Sequence, residues 1–110
     1  MSALELPQPI SAYFLADNSG DSDGVARCFG EHGVVKDEGH THSGREAIRK
    51  WKIGASVKYS YTSKPFAVAE KDGRYTVRSM VAGSFPGSPV ELSYAFRLSD
   101  GGIASLEITA

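Results

Sequence analysis

Cysteine is nearly missing from this chain: Cys28 stands alone among 110 residues, so no disulfide can form within it and nothing points to an oxidising compartment. Also missing is an excess of either charge. Twelve Lys and Arg face thirteen Asp and Glu, for a formal net charge of -1, and Lys50, Lys52 and Lys58 form no long basic stripe. That balance argues against nucleic acid as a partner. Long apolar runs are absent too. The residues up to Pro9 carry Glu5 and two prolines but no basic or apolar leader segment, and no stretch approaches a membrane span. A cytoplasmic protein with no membrane partner is expected. Repeats and low-complexity tracts are lacking as well.

What is present is 41% hydrophobic and 23% charged residues, the proportions of one folded domain. A chain of this size buries roughly two thirds of the surface it exposes when unfolded, enough for one core and not for two. Residues 1–110 therefore read as a single domain, with residues 1–8 as an N-terminal extension.

The apolar pattern changes once along the chain, from helical spacing to strand alternation, which indicates an α+β fold. Ile10, Tyr13, Phe14 and Asp17 recur at helical spacing, Pro9 suits a first turn, and Asn18, Ser19 and Gly20 supply a stop. Asp21 or Asp23 can cap a short second helix carrying Val25, Cys28 and Phe29, with Gly33 ending the connection after it. Val34 and Val35 begin a strand that runs into Asp37. Ser43-Gly44-Arg45-Glu46 matches a capping box, opening a third helix with Ala47, Ile48, Trp51 and Ala55 inward and Arg45, Arg49, Lys50 and Lys52 mainly on the wet side.

Four strand-like runs follow at about 57–70, 74–85, 90–99 and 103–109, joined by short Gly-bearing connections that imply antiparallel hairpins. In the third run Val90, Leu92, Tyr94, Phe96 and Leu98 share one face, and Glu91, Ser93, Ala95 and Arg97 the other. Strands this long must bend, and Pro65 or Gly83 are the expected kinks. A bent sheet with helices laid across it encloses a pocket.

The run from Tyr13 to Phe29, the segment Val34 to Glu38 and the stretch Ser43 to Ile48, followed by Phe96-Arg97 and a last hairpin, resemble the nuclear transport factor 2-like superfamily. Within it the resemblance is nearest to the ketosteroid isomerases and the SnoaL-like polyketide cyclases. It implies a cone-shaped α+β barrel with a mixed, mainly antiparallel sheet, as in cystatin-like folds. It also implies a homodimer joined through the sheet and an apolar cavity for a small carbonyl compound, with no cofactor. Because one such scaffold hosts isomerases, cyclases, dehydratases, epoxide hydrolases and binding proteins, the resemblance implies a fold more sharply than a reaction.

In the isomerase pattern a Tyr on the first helix donates a hydrogen bond to the substrate carbonyl, and an Asp near the end of the first strand moves the proton. Tyr13 and Asp37 fall at those positions. Removing a proton next to a carbonyl creates an enolate, which a neutral phenol in a dry cavity stabilises, while a carboxylate acts as the base. The isomerases have a protonated Asp as second donor. Here Tyr94 stands in its place, or Ser93 if the register slips by one, and a phenol still donates at neutral pH.

Phe14, Trp51, His40, His42 and Met80 are the expected ligand contacts, whereas Phe66, Val68 and Phe85 read as core or pocket wall. His40 and His42 point the same way if their segment is extended. Facing the cavity they would favour dehydration with a His-Asp pair; with a carboxylate they could hold a metal, but no third ligand is spaced for it. Each of these residues also has a structural reading, as core aromatics, a turn-capping Asp37 or exposed loop histidines. A non-catalytic binding or protein-association module therefore stays open beside an enzyme. An epoxide hydrolase would need an Asp, Arg, Asp arrangement; Arg78 and Arg97 supply arginines, and no second aspartate is evident. Cys28 reads as a small buried hydrophobe, His32 as a surface residue and residues 83–89 as a structural turn.

Overall fold

The computed structural model describes residues 4–58 and 60–110; the first three residues of the expected extension, and Tyr59 in the first strand-like run, lie outside them. Among the described residues, three helices precede most of a six-stranded sheet. Helix α1 spans Gln8–Asn18 with Pro9 in its first turn, where a missing N–H costs nothing. It stops where the Ser19 hydroxyl and amide both donate to the Leu15 carbonyl and Gly20 takes a φ of +67°. Helix α2, Ser22–Arg27, is capped by the Asp21 carboxylate, which accepts from the Gly24 amide at 2.9 Å.

Strand β1, Phe29–Asp37, starts earlier than the Val34-Val35 pair suggested. Gly33 does not end a connection; it lies inside the strand, where its pairing with the last strand shifts register between Phe29 and Val34. A side chain at Gly33 would collide with Phe29, so glycine permits the irregularity. Strand β2, His40–Ser43, was not anticipated as a strand, and Ser43 belongs to it instead of capping a helix. The carbonyl of Gly44 opens helix α3, accepting from the Ile48 amide, and Glu46 binds Arg49 with both oxygens. Helix α3 runs Arg45–Lys58, so residues 57 and 58 close a helix and do not start a strand.

Strands β3 (Tyr61–Lys71), β4 (Arg74–Gly83), β5 (Val90–Ser99) and β6 (Gly102–Thr109) follow the expected order. The sheet runs β2-β1-β6-β5-β4-β3. Among the described residues only β1 and β6 pair in parallel. Three hairpins turn on Glu38-Gly39, Asp72-Gly73 and Asp100-Gly101, each pair with positive φ at both residues, the geometry whose twist matches that of the strands. The pairing of β3 with β4 shifts between Pro65 and Ala67, so Pro65 is the expected bulge.

One face of the sheet carries Val35, Val77, Tyr94, Phe96 and Leu106, all buried against Ile10, Tyr13 and Phe14 of α1 and Ile48 of α3. The opposite face carries the alternate residues of each strand, with Met80 and Phe66 exposed. Among the described residues no helix is long and apolar enough to cross a membrane.

Gly83 closes β4 where the chain comes back past Ser60; a Cβ there would lie 2.1 Å from the Ser60 carbonyl oxygen. Gly83→Ala is therefore expected to destabilise the fold by roughly 1–3 kcal/mol. Gly54→Ala, in the exposed middle of α3 with open space at its Cβ, is expected to add up to about 1 kcal/mol. Urea unfolding of both variants checks the pair of opposite signs.

Candidate functional site

Between the helices and the inner face of the sheet lies a cavity of about 450 Å³, lined by Tyr13, Asp17, Asp37, Trp51, Tyr61 and Tyr94 among polar and aromatic residues and by Val81, Val90, Leu92 and Ile108 among aliphatic ones. Tyr13, Asp37 and Tyr94 thus open on one space from three elements: α1, the end of β1 and the middle of β5. Helical spacing turns Tyr13 inward beside Phe14, and strand alternation turns Tyr94 inward between Leu92 and Phe96.

The phenols are set in a packed aromatic cluster. The ring of Tyr13 lies 5.5 Å from Phe96 and 6.3 Å from Tyr94, at the tilted and edge-on angles that aromatic quadrupoles favour. Burial pushes the Tyr13 hydroxyl well above the usual phenol range, and the charge of Asp17 pushes it further. Tyr94 is raised for the same first reason, opposed by a hydrogen bond from Ser63; the Ser63 hydroxyl is 3.4 Å from the phenol and 2.6 Å from that of Ser79. Both phenols are therefore neutral donors. Among the described residues the Tyr13 hydroxyl makes no side-chain hydrogen bond, so its proton is available to a guest in the cavity.

Asp37 is half-buried and accepts a hydrogen bond from Trp51 Nε1 at 3.1 Å. Desolvation raises its pKa above the ordinary 3.8, and the Trp51 bond holds back part of that rise. Such a carboxylate is a stronger base than a solvated one. Its position beside Glu38-Gly39 also makes it part of the hairpin entry, so the turn residue and the cavity residue are the same.

The other expected contacts divide. Trp51 lines the cavity. Phe14 does not: its ring packs 5.0 Å from Tyr94 and 5.9 Å from Phe96, supporting the wall from behind. Met80 sits on the outer face, 40% exposed, because strand alternation turns Ser79 and Val81 inward instead. Strand β2 is extended, so His40 and His42 do share a side, the same sheet face as their cross-strand partners Asp37 and Val35. His42 lies half-buried with its ring 6.0 Å from Trp51, and His40 is exposed; neither lines the cavity. Ser93 is on the opposite face of β5 from Tyr94. Arg78 pairs with Glu91 on the outer face, and Arg97 is exposed there too, so no arginine reaches the cavity from either position. Phe85 reaches its rim, while Phe66 is exposed and packs beneath the Arg78 guanidinium. Cys28 is half-buried, its thiol 3.3 Å from the Gly24 carbonyl and pushed up by burial. Among the described residues no group of three His, Cys, Asp or Glu is arranged to hold a metal.

The largest departure is Lys52. Expected on the wet side, it is sealed inside, with its side chain 1% exposed and that of Asp17 2%. Its Nζ donates to Asp17 Oδ1 at 2.6 Å and to the Tyr61 hydroxyl at 2.8 Å, and that hydroxyl donates to the same Oδ1 at 2.7 Å. The signal was present in the spacing: Ile48, Trp51, Lys52 and Ala55 follow the pattern of a buried helical stripe, and Asp17 lies one turn beyond Tyr13. A charge of each sign on two apolar stripes is the mark of a buried pair.

The chain is similar to a candidate polyketide cyclase from Sinorhizobium meliloti, with 39% identity, a TM-score of 0.93, and coverage of 99% of this chain and 100% of that one. It is also similar in fold to a protein of ketosteroid isomerase-like fold from Catenulispora acidiphila, crystallised with trimethylamine (18% identity, TM-score 0.86, covering 96% and 87%). A candidate polyketide cyclase from Xanthomonas campestris shares the fold as well (20%, 0.80, covering 91% and 85%). No protein-family model and no curated protein sequence matches the chain.

Lys52→Met alone leaves the Asp17 carboxylate buried without its cation and is expected to cost roughly 3–5 kcal/mol in urea unfolding, whereas Asp17→Leu combined with Lys52→Met retains most of the stability. Asp37 gives a pH test. Its folded pKa is raised, so the stability it contributes is fully present below the ordinary value near 3.8 and is lost as pH rises through the folded value. Relative to the wild type, Asp37→Asn is therefore expected to gain stability from about pH 4 upward, read from thermal midpoints across a pH series.

Proposed function

The chain belongs to the polyketide cyclase and ketosteroid isomerase-like group of the nuclear transport factor 2-like superfamily, and from that premise we propose that it binds a small, largely apolar carbonyl compound and moves a proton at the carbon next to the carbonyl. The observation that supports this reading is the meeting of two neutral phenols and one desolvated carboxylate on a single cavity.

Tyr13, and Tyr94 beside it, donate to the carbonyl oxygen. Asp37 takes the proton from the adjacent carbon: that C–H bond breaks, an O–H bond forms on the carboxylate, and the electron pair passes into the carbonyl as an enolate. Charge grows on an oxygen already facing phenol protons and beside an aliphatic wall, so stabilisation is greater for the transition state than for the ketone. Asp37 then returns the proton to carbon in an isomerisation, or the enolate carbon attacks a second carbonyl in a cyclisation. The aliphatic wall of Val81, Leu92 and Ile108 selects for the hydrocarbon part of the substrate. Phe66 and Met80, exposed on the outer face, support association of two copies through the sheet.

Exchange of the α-protons of acetophenone in D2O, followed by NMR, reads the proton-transfer step without knowledge of the natural substrate. Asp37→Asn is expected to lower the protein-dependent exchange by about 10²–10⁴-fold, and the wild-type rate is expected to rise with pH through the raised pKa of Asp37. Tyr13→Phe is expected to weaken binding of phenolate enolate mimics. Unchanged exchange in Asp37→Asn would reduce the cavity to a binding site.

A further inference from the structure

The ring of hydrogen bonds around Asp17 is one-sided. Lys52 and Tyr61 both donate to Oδ1, and among the described residues nothing donates to Oδ2. Yet no fully enclosed polar side-chain atom lacks a partner among the described residues, and Asp17, although 97% buried, lines the cavity. Its second oxygen therefore opens on the cavity.

We propose that Asp17 Oδ2 is a hydroxyl-recognition point, so that the preferred ligands of this cavity are hydroxylated carbonyl compounds. This rests on the reading of Tyr13 and Tyr94 as carbonyl donors and extends it to the other end of the guest.

Three features carry the argument. First, the acceptor is held rigidly: Asp17 is tied to α3 through Lys52 and to β3 through Tyr61, so little ordering remains to be done when a ligand arrives. Second, its partner chemistry is defined. A carboxylate oxygen only accepts, so the guest must bring an N–H or O–H donor. Lys52 already balances the negative charge, so a neutral hydroxyl suits this oxygen and a second cation is not called for. Third, the cavity sorts its polar groups by role. Tyr13 and Tyr94 offer protons to an acceptor, whereas Asp17, one helical turn from Tyr13, offers a lone pair to a donor. A guest with a carbonyl at one position and a hydroxyl at another satisfies both; a plain ketone leaves Asp17 Oδ2 desolvated and unpaired, which costs affinity.

Four matched probes separate the two halves of this statement: ethylbenzene, acetophenone, 4-ethylphenol and 4-hydroxyacetophenone, with the 2- and 3-hydroxy isomers covering the spacing. Dissociation constants are measured by ligand-observed NMR. The carbonyl increment tests the donor reading and the hydroxyl increment tests Asp17. In the wild type at least one hydroxylated probe is expected to bind about tenfold tighter than its parent. That increment is expected to fall within twofold of unity in the double variant Asp17→Leu/Lys52→Met, and to persist in Asp37→Asn. Circular dichroism and retained binding of ethylbenzene confirm that the double variant is folded. If it is not, Asp17→Asn with Lys52 intact serves instead, with a reduced increment expected.

Absence of a hydroxyl increment in the wild type overturns the proposal, as does its survival in the Asp17 variants or its loss in Asp37→Asn. Tighter binding of 4-methylbenzylamine than of 4-ethylphenol overturns the hydroxyl class in favour of a cation. A hydroxyl increment without a carbonyl increment sustains the role of Asp17 while dismissing the donor role of Tyr13 and Tyr94.

Discussion

An ammonium and a carboxylate 2.6 Å apart, both withdrawn from water, join the first helix to the third, and the Tyr61 hydroxyl binds the pair to the sheet. Taking two charges out of water is costly, and the mutual attraction recovers that cost only when geometry and additional hydrogen bonds are good. Here a phenol adds a bond to each member, and the Lys52 ammonium lies 4.6 Å from the centre of the Tyr61 ring. The arrangement fixes where α1 crosses the sheet, and α1 carries Tyr13. The position of the phenol in the cavity thus follows from an ion pair one turn away.

Around that anchor the cavity is divided by chemistry. Aromatic packing of Tyr13, Phe14, Tyr94 and Phe96 leaves two hydroxyls at the surface of a greasy wall. Low polarity keeps those hydroxyls protonated and makes the Asp37 carboxylate more basic. The same desolvation therefore acts on both kinds of group that face the cavity, holding the two phenols neutral and raising the carboxylate. The indole of Trp51 limits the effect, since its N–H stabilises the ionised carboxylate and holds it in one orientation.

Local features of the chain were legible to the extent that local physics governs them. Pro9, Asp21 and the Gly-bearing hairpins mark element ends because capping and left-handed φ are properties of a few adjacent residues. The alternation of Val90 to Leu98 gave the inner face of β5 directly, and Pro65 gave the bulge of β3. Expectations failed where neighbouring signals competed. Val57 and Lys58 look like a strand start but continue α3, and the Ser43 motif has the form of a cap while its residue serves β2. Met80 reads as a ligand contact in the pocket wall, although the two-residue period of β4 turns it outward.

The sequence by itself determined the order of helices and strands, the apolar stripes, and the presence of Tyr13, Asp37 and Tyr94 on inward-facing positions, because periodicity decides which way a side chain points. Only the tertiary structure decided what those side chains meet. Lys52 and Asp17 are 35 residues apart and Asp17 and Tyr61 are 44 apart, so no local rule relates them; a lysine on a mixed stripe lies in water or in the core according to whether an opposite charge reaches it. Tertiary packing likewise placed His40 and His42 outside the cavity and left one oxygen of Asp17 open to it, since both depend on which distant elements meet around that space.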